Sequence, residues 1–225
     1  MTSVTNDSST LPRGEIGIAS AIAMTAVGGY VDAYLFLRHQ VFGFAQTGNV
    51  VFLAVGLVQG SDWTKYLWPL LVYIAGLVVA ELLHAGAATV STRILRTVLI
   101  FQILVFATLA LLPVGAPTQV FVLPLSFVAG VRMELFRSAG GMTFMSIAST
   151  GNLMRLVQAS AELARGGSPT RRRAVGFTAL VVLGFAGGAI CGAALSHAVG
   201  PALWGAVILE CASLVAFLTA TRRRS

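Results

Sequence analysis

Long apolar segments alternate with short polar ones along this chain. Six of them cover residues 16–37, 66–90, 94–112, 118–136, 174–198 and 201–219. A helix needs about 20 apolar residues to cross the hydrocarbon core of a bilayer, so each segment is long enough for one crossing. Two weaker apolar segments, 41–60 and 142–160, lie between them. The pattern predicts an all-α fold, a polytopic bundle of transmembrane helices.

The composition agrees with a membrane protein. Of the 225 residues, 56% are hydrophobic and 10% are charged, whereas a soluble domain carries about 25% charged residues. The expected partner is the lipid bilayer, with no room for a separate soluble domain. Residues 1–15 are polar and predict a disordered N-terminal tail, and residues 221–225 predict a basic C-terminal tail. The first apolar segment is too long for a signal-peptide core and contains Asp32, so we expect a retained helix.

Positive charge predicts the topology. The formal net charge is +7, and the basic residues lie in loops and at the ends of apolar segments, so we interpret them as topology signals rather than a nucleic-acid surface. If the two weak segments are re-entrant, six helices span, and twelve of the 15 Lys and Arg residues share one face against two on the other. Eight spans would divide them nine to five. The first division predicts a multi-pass protein of the bacterial cytoplasmic (inner) membrane with both termini cytoplasmic. A seven-span arrangement, in which only 41–60 crosses, also gives twelve to two and stays open.

The same tripeptide occurs in both weak segments. It is formed by Thr47, Gly48 and Asn49, and again by Thr150, Gly151 and Asn152. Each copy follows one long segment and precedes two others, so residues 16–112 and 113–220 are predicted to be repeats. With three spans each, the repeats would have opposite orientations in the membrane, as in many transporters. A looser match between the repeats aligns Gln102 with Glu210.

Thr-Gly-Asn suits a break in a helix. Glycine loosens the backbone, and Thr and Asn cap free N–H groups at helix starts. We therefore expect each motif to end one helical piece and to start a short half-helix after Asn49 or Asn152. The N-terminus of that half-helix would point into the membrane with its partial positive charge. Alternatively, the two asparagines only satisfy backbone groups at the breaks.

Several polar residues lie inside apolar segments. Buried carboxylates in a membrane mark functional sites by default, and desolvation lets them carry a proton. We assign such a role to Asp32, leave Glu210 open between function and structure, and favour structure for Glu81. The secondary candidates on the path are Glu81, Gln102 and Arg155. Arg155 would either meet an anion or pair with a buried acid such as Glu210.

Other chemistry is not supported by the sequence. Glu81 and His84 have the spacing of half a di-metal site, but the second half is missing, so no metal and no cofactor are expected. No catalytic motif indicates an enzyme. The two cysteines, Cys191 and Cys211, are expected to be packing residues. Small residues over 184–194 favour close helix contact, within the chain or between copies in a homo-oligomer.

The stretch GGYVDAYLFLRHQVFGFAQTGNVVFLAVGL, Gly28 to Leu57, resembles the signature of the YoaK-like family of small bacterial membrane proteins. That signature has Gly-x-x-Asp-Ala, a Phe-rich stretch and Thr-Gly-Asn, and the resemblance extends over about residues 15–220. It implies an integral membrane protein with about six spans and no established function, and motif positions at Asp32 and Asn49. In the second repeat the position that matches Asp32 is often polar in the family. Here it is Met133, which implies that Asp32 acts alone.

These observations predict a transporter or channel for a small solute or ion, proton-coupled through Asp32 or Glu210. Its site would lie near the midplane, where Asn49 and Asn152 meet. The alternative is a membrane scaffold or partner subunit that transports nothing, in which the breaks only shape the packing. Water at the two asparagines would distinguish these functions.

Overall fold

A computed structural model describes residues 10–12, 15–83, 89–113, 115–147, 149–198 and 202–222. The fold is all-helical. Its helices are α1 (Ile18–His39), α2 (Gln46–Gln59), α3 (Thr64–Leu83), α4 (Thr92–Ala110), α5 (Thr118–Leu135), α6 (Ser149–Arg165), α7 (Pro169–Ala198) and α8 (Trp204–Arg222). Its short strands are β1 (Thr10–Pro12), β2 (Glu15–Ile16), β3 (Thr89–Ser91), β4 (Ser138–Ala139) and β5 (Met142–Thr143).

Six helices, α1, α3, α4, α5, α7 and α8, are long and apolar enough to cross a membrane. They confirm that the six long apolar segments of the sequence form helices of membrane-spanning length, with boundaries shifted by a few residues. Helix α2 is apolar but has only 14 residues. At 1.5 Å per residue it is roughly 21 Å long, short of the roughly 30 Å of the hydrocarbon core.

Glycines bring α1 and α7 into backbone contact. A Cβ on Gly184, Gly188 or Gly192 of α7 would meet the backbone of Ile22, Ala26 or Tyr30 of α1, in that order. The predicted small-residue stripe over 184–194 therefore packs within the chain.

The order of these contacts gives the direction of the two helices. The contacts advance together along both helices, so α1 and α7 run parallel. Six alternating spans make the first and fifth spans parallel. The seven-span arrangement would make α1 and α7 antiparallel, and the observed register therefore argues against it.

A second glycine contact joins α3 to α5. Gly76 of α3 faces the backbone of Phe127, and Gly130 of α5 faces the backbone of Tyr73. Further contacts between helices place α8 against α1, α4 and α7, α4 against α5, α2 against α3, and α6 against α7. Helices α1 and α5 are the first helices of the two predicted repeats, and each packs against the second long helix of the other repeat.

The strands join the ends of the helices. Strand β1 pairs antiparallel with β3, and β2 pairs parallel with β4, which pairs antiparallel with β5. Of the N-terminal tail predicted over 1–15, Thr10–Pro12 and Glu15 belong to strands. Residues 1–9, 13 and 14 lie outside the described residues.

Apolar side chains cover the outer surface as well as the interior. Val58, Leu111 and Ile190 are exposed by 88%, 75% and 69%, as expected of groups that face lipid. Cys191 and Cys211, predicted to be packing residues, are also exposed, with free thiols. The buried interior consists of two apolar clusters, one of them centred on α1 and α5.

Candidate functional site

Both Thr-Gly-Asn motifs lie inside the first turn of a helix. Helix α2 begins at Gln46 and α6 at Ser149, one residue before each threonine. The prediction that the short helix starts after the asparagine is therefore wrong by about one turn. The chain turns before the motif, and the threonine is the second and the asparagine the fourth residue of each helix.

Asn49 binds the backbone of the residue seven positions before it. Its Oδ1 accepts a hydrogen bond from the Phe42 N–H at 3.0 Å, and its Nδ2 donates to the Phe42 carbonyl at 2.7 Å. The same amide nitrogen donates to Gln46 Oε1 at 3.0 Å. The buried amide of Asn49 thus satisfies both the N–H and the carbonyl of Phe42, in the turn that precedes α2.

Asn152 repeats this arrangement in the second half of the chain. Its Oδ1 accepts from the Met145 N–H at 3.0 Å, and its Nδ2 donates to the Met145 carbonyl at 2.8 Å. Both asparagines are buried. We call each pairing of an asparagine amide with the backbone seven residues earlier an amide clasp.

The glycine of each motif makes room for the residue that the clasp holds. A Cβ on Gly48 would lie 2.6 Å from the Phe42 ring, and one on Gly151 would lie 2.5 Å from Met145 Sδ. The side chain of Phe42 or Met145 therefore lies directly against the start of the helix. Glycine is required by this close approach rather than by a break in the helix.

The two threonines lie on one cavity. Thr47 and Thr150 are exposed side chains that line the same half-open space of about 300 Å³ between the starts of α2 and α6. None of the described residues that line it is charged; the others are Phe44, Ala45, Gln46, Tyr73, Met133, Ile147, Ser149 and Phe185. Residues of both motifs thus line one cavity, but they are the threonines, and the asparagines predicted to form the site are not among the lining residues.

Asp32 lies directly behind the cavity wall. It is 4% exposed, and its Oδ1 accepts hydrogen bonds from the N–H groups of Phe44 at 2.8 Å and Ala45 at 3.2 Å. Its Oδ2 is buried and has no hydrogen-bond partner among the described residues. In the described part of the chain no basic side chain forms an ion pair with Asp32.

Glu210 is engaged differently, because it forms a fully buried ion pair with Arg132 of α5. Arg132 also donates to the Met24 carbonyl at 3.4 Å, and its guanidinium lies 5.7 Å from the centre of the Phe44 ring. The suggested partner of Glu210 was Arg155, and the structure corrects this. Arg132 is buried within helix α5, so it no longer belongs to the twelve basic residues that were assigned to one membrane face.

Sequence reasoning missed Arg132, although a signal for it was present. A carboxylate in the middle of a span needs an opposite charge nearby. Arg132 lies within the apolar segment 118–136, which argues against a loop position. Its neighbour Glu134, two residues on, instead pairs with Arg137 at the end of α5.

The secondary candidates do not join the cavity. Gln102 is buried in α4, and both polar atoms of its amide lack partners among the described residues. Arg155 contacts the first turn of α6, where its Nη1 lies 3.6 Å from the Cβ position of Gly151. Glu81 is exposed in the last turn of α3, and His84 lies outside the described residues.

Comparison with known proteins gives a family and no function. No curated protein matches the chain, and no solved structure matches it. One family model, described as Protein of unknown function (DUF1275), matches residues 20–217. The matched family carries no YoaK name, so that part of the resemblance stays a prediction. The match includes both amide clasps, Asp32 and the Arg132–Glu210 pair, and the chain belongs to the DUF1275 family of proteins of unknown function.

Proposed function

We propose that the protein moves a small solute or ion across the membrane through the cavity between the starts of α2 and α6. The observation that carries this proposal is the shared cavity itself. Thr47 and Thr150 are 103 positions apart in sequence, yet they line one space, to which Gln46 and Ser149 add further polar side chains among apolar ones. Irregular backbone at membrane depth is tolerated where it is buried in protein or lines a water-filled space.

The arrangement of helices supports two inverted repeats. In the first half, α1 packs on α7 of the second half; in the second half, α5 packs on α3 of the first. The amide clasps of Asn49 and Asn152 match atom for atom. Three spans in each half give opposite orientations, and a site between such repeats can open alternately to either side.

The charge distribution supports a cytoplasmic location for both termini, in the inner membrane of a bacterium. With Arg132 assigned to the interior, eleven Lys and Arg residues remain on the proposed cytoplasmic face against two opposite. The positive-inside bias therefore persists after the correction.

Asp32 is the better candidate for proton coupling. Glu210 already has a counter-ion in Arg132, and removing its charge would leave that arginine buried and unpaired. Asp32 has no basic partner in the described residues and has a free carboxylate oxygen. It also hydrogen-bonds Phe44 and Ala45, which line the cavity.

The second candidate function is a scaffold or partner subunit, in a homo-oligomer or with another membrane protein. The amide clasps favour it, because they explain Asn49 and Asn152 as structural residues without any solute. A scaffold does not require water in the cavity, and a transporter does.

Cysteine accessibility tests this difference. In a background of Cys191→Ser and Cys211→Ser, single cysteines replace Thr47 and Thr150, whose side chains line the cavity. Intact cells and inverted vesicles are treated with a membrane-impermeant thiol reagent. Cysteines at Ser61 and Ser168 serve as loop controls on the two proposed faces.

A transporter predicts that both threonine positions react, from at least one side each. Ser61 should react from outside and Ser168 from inside. If the loop controls react and both threonine positions stay unmodified, the proposed path is closed and the scaffold is favoured. Ser61 reacting from inside would overturn the proposed topology.

A further inference from the structure

Asp32 occupies the place of a bound anion at the start of α2. Ala45 is the residue immediately before the helix, and its N–H and that of Phe44 both donate to Asp32 Oδ1. The N-terminus of a helix carries a partial positive charge and free N–H groups that favour anions. The carboxylate of Asp32 therefore compensates this helix end from within the protein.

Among the described residues, no carboxylate hydrogen-bonds the start of α6 as Asp32 does the start of α2. Aligning Gly29 with Gly130, the two glycines at matching helix contacts, places Met133 opposite Asp32. Met133 lines the cavity. One of the two helix ends at the cavity is thus compensated by an acid, and the other is not.

The charged groups around Asp32 leave its charge unbalanced. The buried charges of α5 and α8 include Arg132 and Glu210, which neutralise each other. At the end of α1, Arg38 donates to the Ser196 carbonyl of α7. The basic residues of α7 lie at its two ends: Arg171, Arg172 and Arg173 near the start, and His197 in the last turn.

Protonation at Asp32 has a defined place. Oδ2 is buried and without a partner among the described residues, so a proton adds there without displacing an existing hydrogen bond. A neutral carboxyl accepts the two N–H hydrogen bonds more weakly than a carboxylate does. The start of α2 then becomes uncompensated, like the start of α6.

Building on the proposed transport function, we propose that the cavity binds a small monoanion together with one proton on Asp32. The proton neutralises the internal carboxylate, and the incoming anion in the cavity then supplies the negative charge that the two helix ends favour. One proton and one monoanion enter and leave together, so the step carries no net charge. Thr47, Ser149 and Thr150 supply hydroxyl groups to the same space.

The first experiment follows the release of the α2 start. The full chain in lipid nanodiscs is studied by hydrogen–deuterium exchange of segment 41–49 between about pH 5 and about pH 8, after correction for intrinsic exchange. We expect faster corrected exchange at the acidic end in the wild type. Asp32→Asn should exchange fast at every pH, Asp32→Glu should restore the pH dependence, and Asp62→Asn, at an exposed acid, should behave as wild type.

The second experiment adds formate, nitrate or benzoate as the anion, against gluconate as the bulk salt. At the acidic end, at least one probe should protect segment 41–49 at about tenfold lower concentration than at the alkaline end. In the Asp32→Asn variant, the anion should protect segment 41–49 at low concentration at both the acidic and the alkaline end of the pH range.

Two results would overturn the inference. One is corrected exchange of segment 41–49 that is insensitive to pH in the wild type. The other is failure of all three anions to protect Asp32→Asn. If Thr47 and Thr150 still react with the thiol reagent from the membrane surfaces, transport stands and only the anion assignment is lost.

Discussion

Each residue of Thr-Gly-Asn has a separate place in this fold. The threonine lines the cavity, the glycine admits the side chain of Phe42 or Met145, and the asparagine clasps the backbone of the same residue. At the level of single residues the motif is therefore a structural unit with one position left for a ligand. This division separates variants that should unfold the protein from variants that should change what it binds.

Removing a clasp should destabilise the protein. Asn49→Ala or Asn152→Ala leaves a buried N–H and a carbonyl unsatisfied, which costs about 1–3 kcal/mol. The free energy of unfolding in mixed micelles measures this loss. Thr47→Ala and Thr150→Ala, at exposed positions, are the matched controls and should change stability by less than about 0.5 kcal/mol. Equal losses at threonine and asparagine would contradict the assigned roles.

The two glycines should differ in their tolerance of a methyl group. Phe42 stacks on Phe36 with ring centres 5.0 Å apart and on Phe52 at 6.1 Å. Its ring cannot move away from a Cβ at position 48, whereas Met145 is a flexible chain that can. Gly48→Ala should therefore lower the thermal unfolding midpoint more than Gly151→Ala does. The reverse order would show that Phe42 is less constrained than its stacking indicates.

At the level of elements, the apolar pattern predicted the spans well and the short helices poorly. Each of the six long apolar segments forms a helix. A helix satisfies all its backbone hydrogen bonds within one segment, whereas a strand in the membrane would need neighbouring strands. The starts of α2 and α6 depend instead on contacts with Phe42 and Met145, seven residues away. Helix propensity reflects only residues within about one turn, so the sequence analysis could not include these contacts and predicted each helix start after the asparagine.

The contact between α1 and α7 offers a test of the parallel register. A Cβ on Gly188 would overlap the backbone of Ala26, whereas one on the adjacent Gly187 meets nothing within 4 Å. Gly188→Ala should therefore destabilise the protein by roughly 1–3 kcal/mol, with Gly187→Ala close to wild type. The measurement is reversible unfolding in mixed micelles. Similar stabilities for the two variants would contradict the observed register.

At the level of the whole molecule, the pair of Arg132 and Glu210 lies within the second half of the bundle, and Arg132 links it to the first half. Arg132 lies on α5, Glu210 on α8, and the guanidinium also reaches the Met24 carbonyl on α1. The sequence identified the acid but not its partner, because the pair is 78 positions apart and chain distance carries no information about packing across a bundle.

Breaking this pair on one side should be costly. Arg132→Met leaves the carboxylate of Glu210 buried without a counter-charge, which costs about 3–5 kcal/mol. The double variant Arg132→Met with Glu210→Gln should recover most of that loss, since no buried charge remains. A double-mutant cycle of unfolding free energies measures the coupling. Strictly additive losses would show that the two side chains do not depend on each other.

The amide clasp also bears on how relatives are compared. The seven-residue spacing between the clasped residue and the asparagine stabilises the turn before the helix. A sequence search that relies on Thr-Gly-Asn therefore finds chains that share this structural feature. The clasp itself sets no condition on what the cavity binds. Under the proposed function, chains that share the clasp would be sorted by the cavity wall at Tyr73, Met133 and Phe185, together with the acid at Asp32.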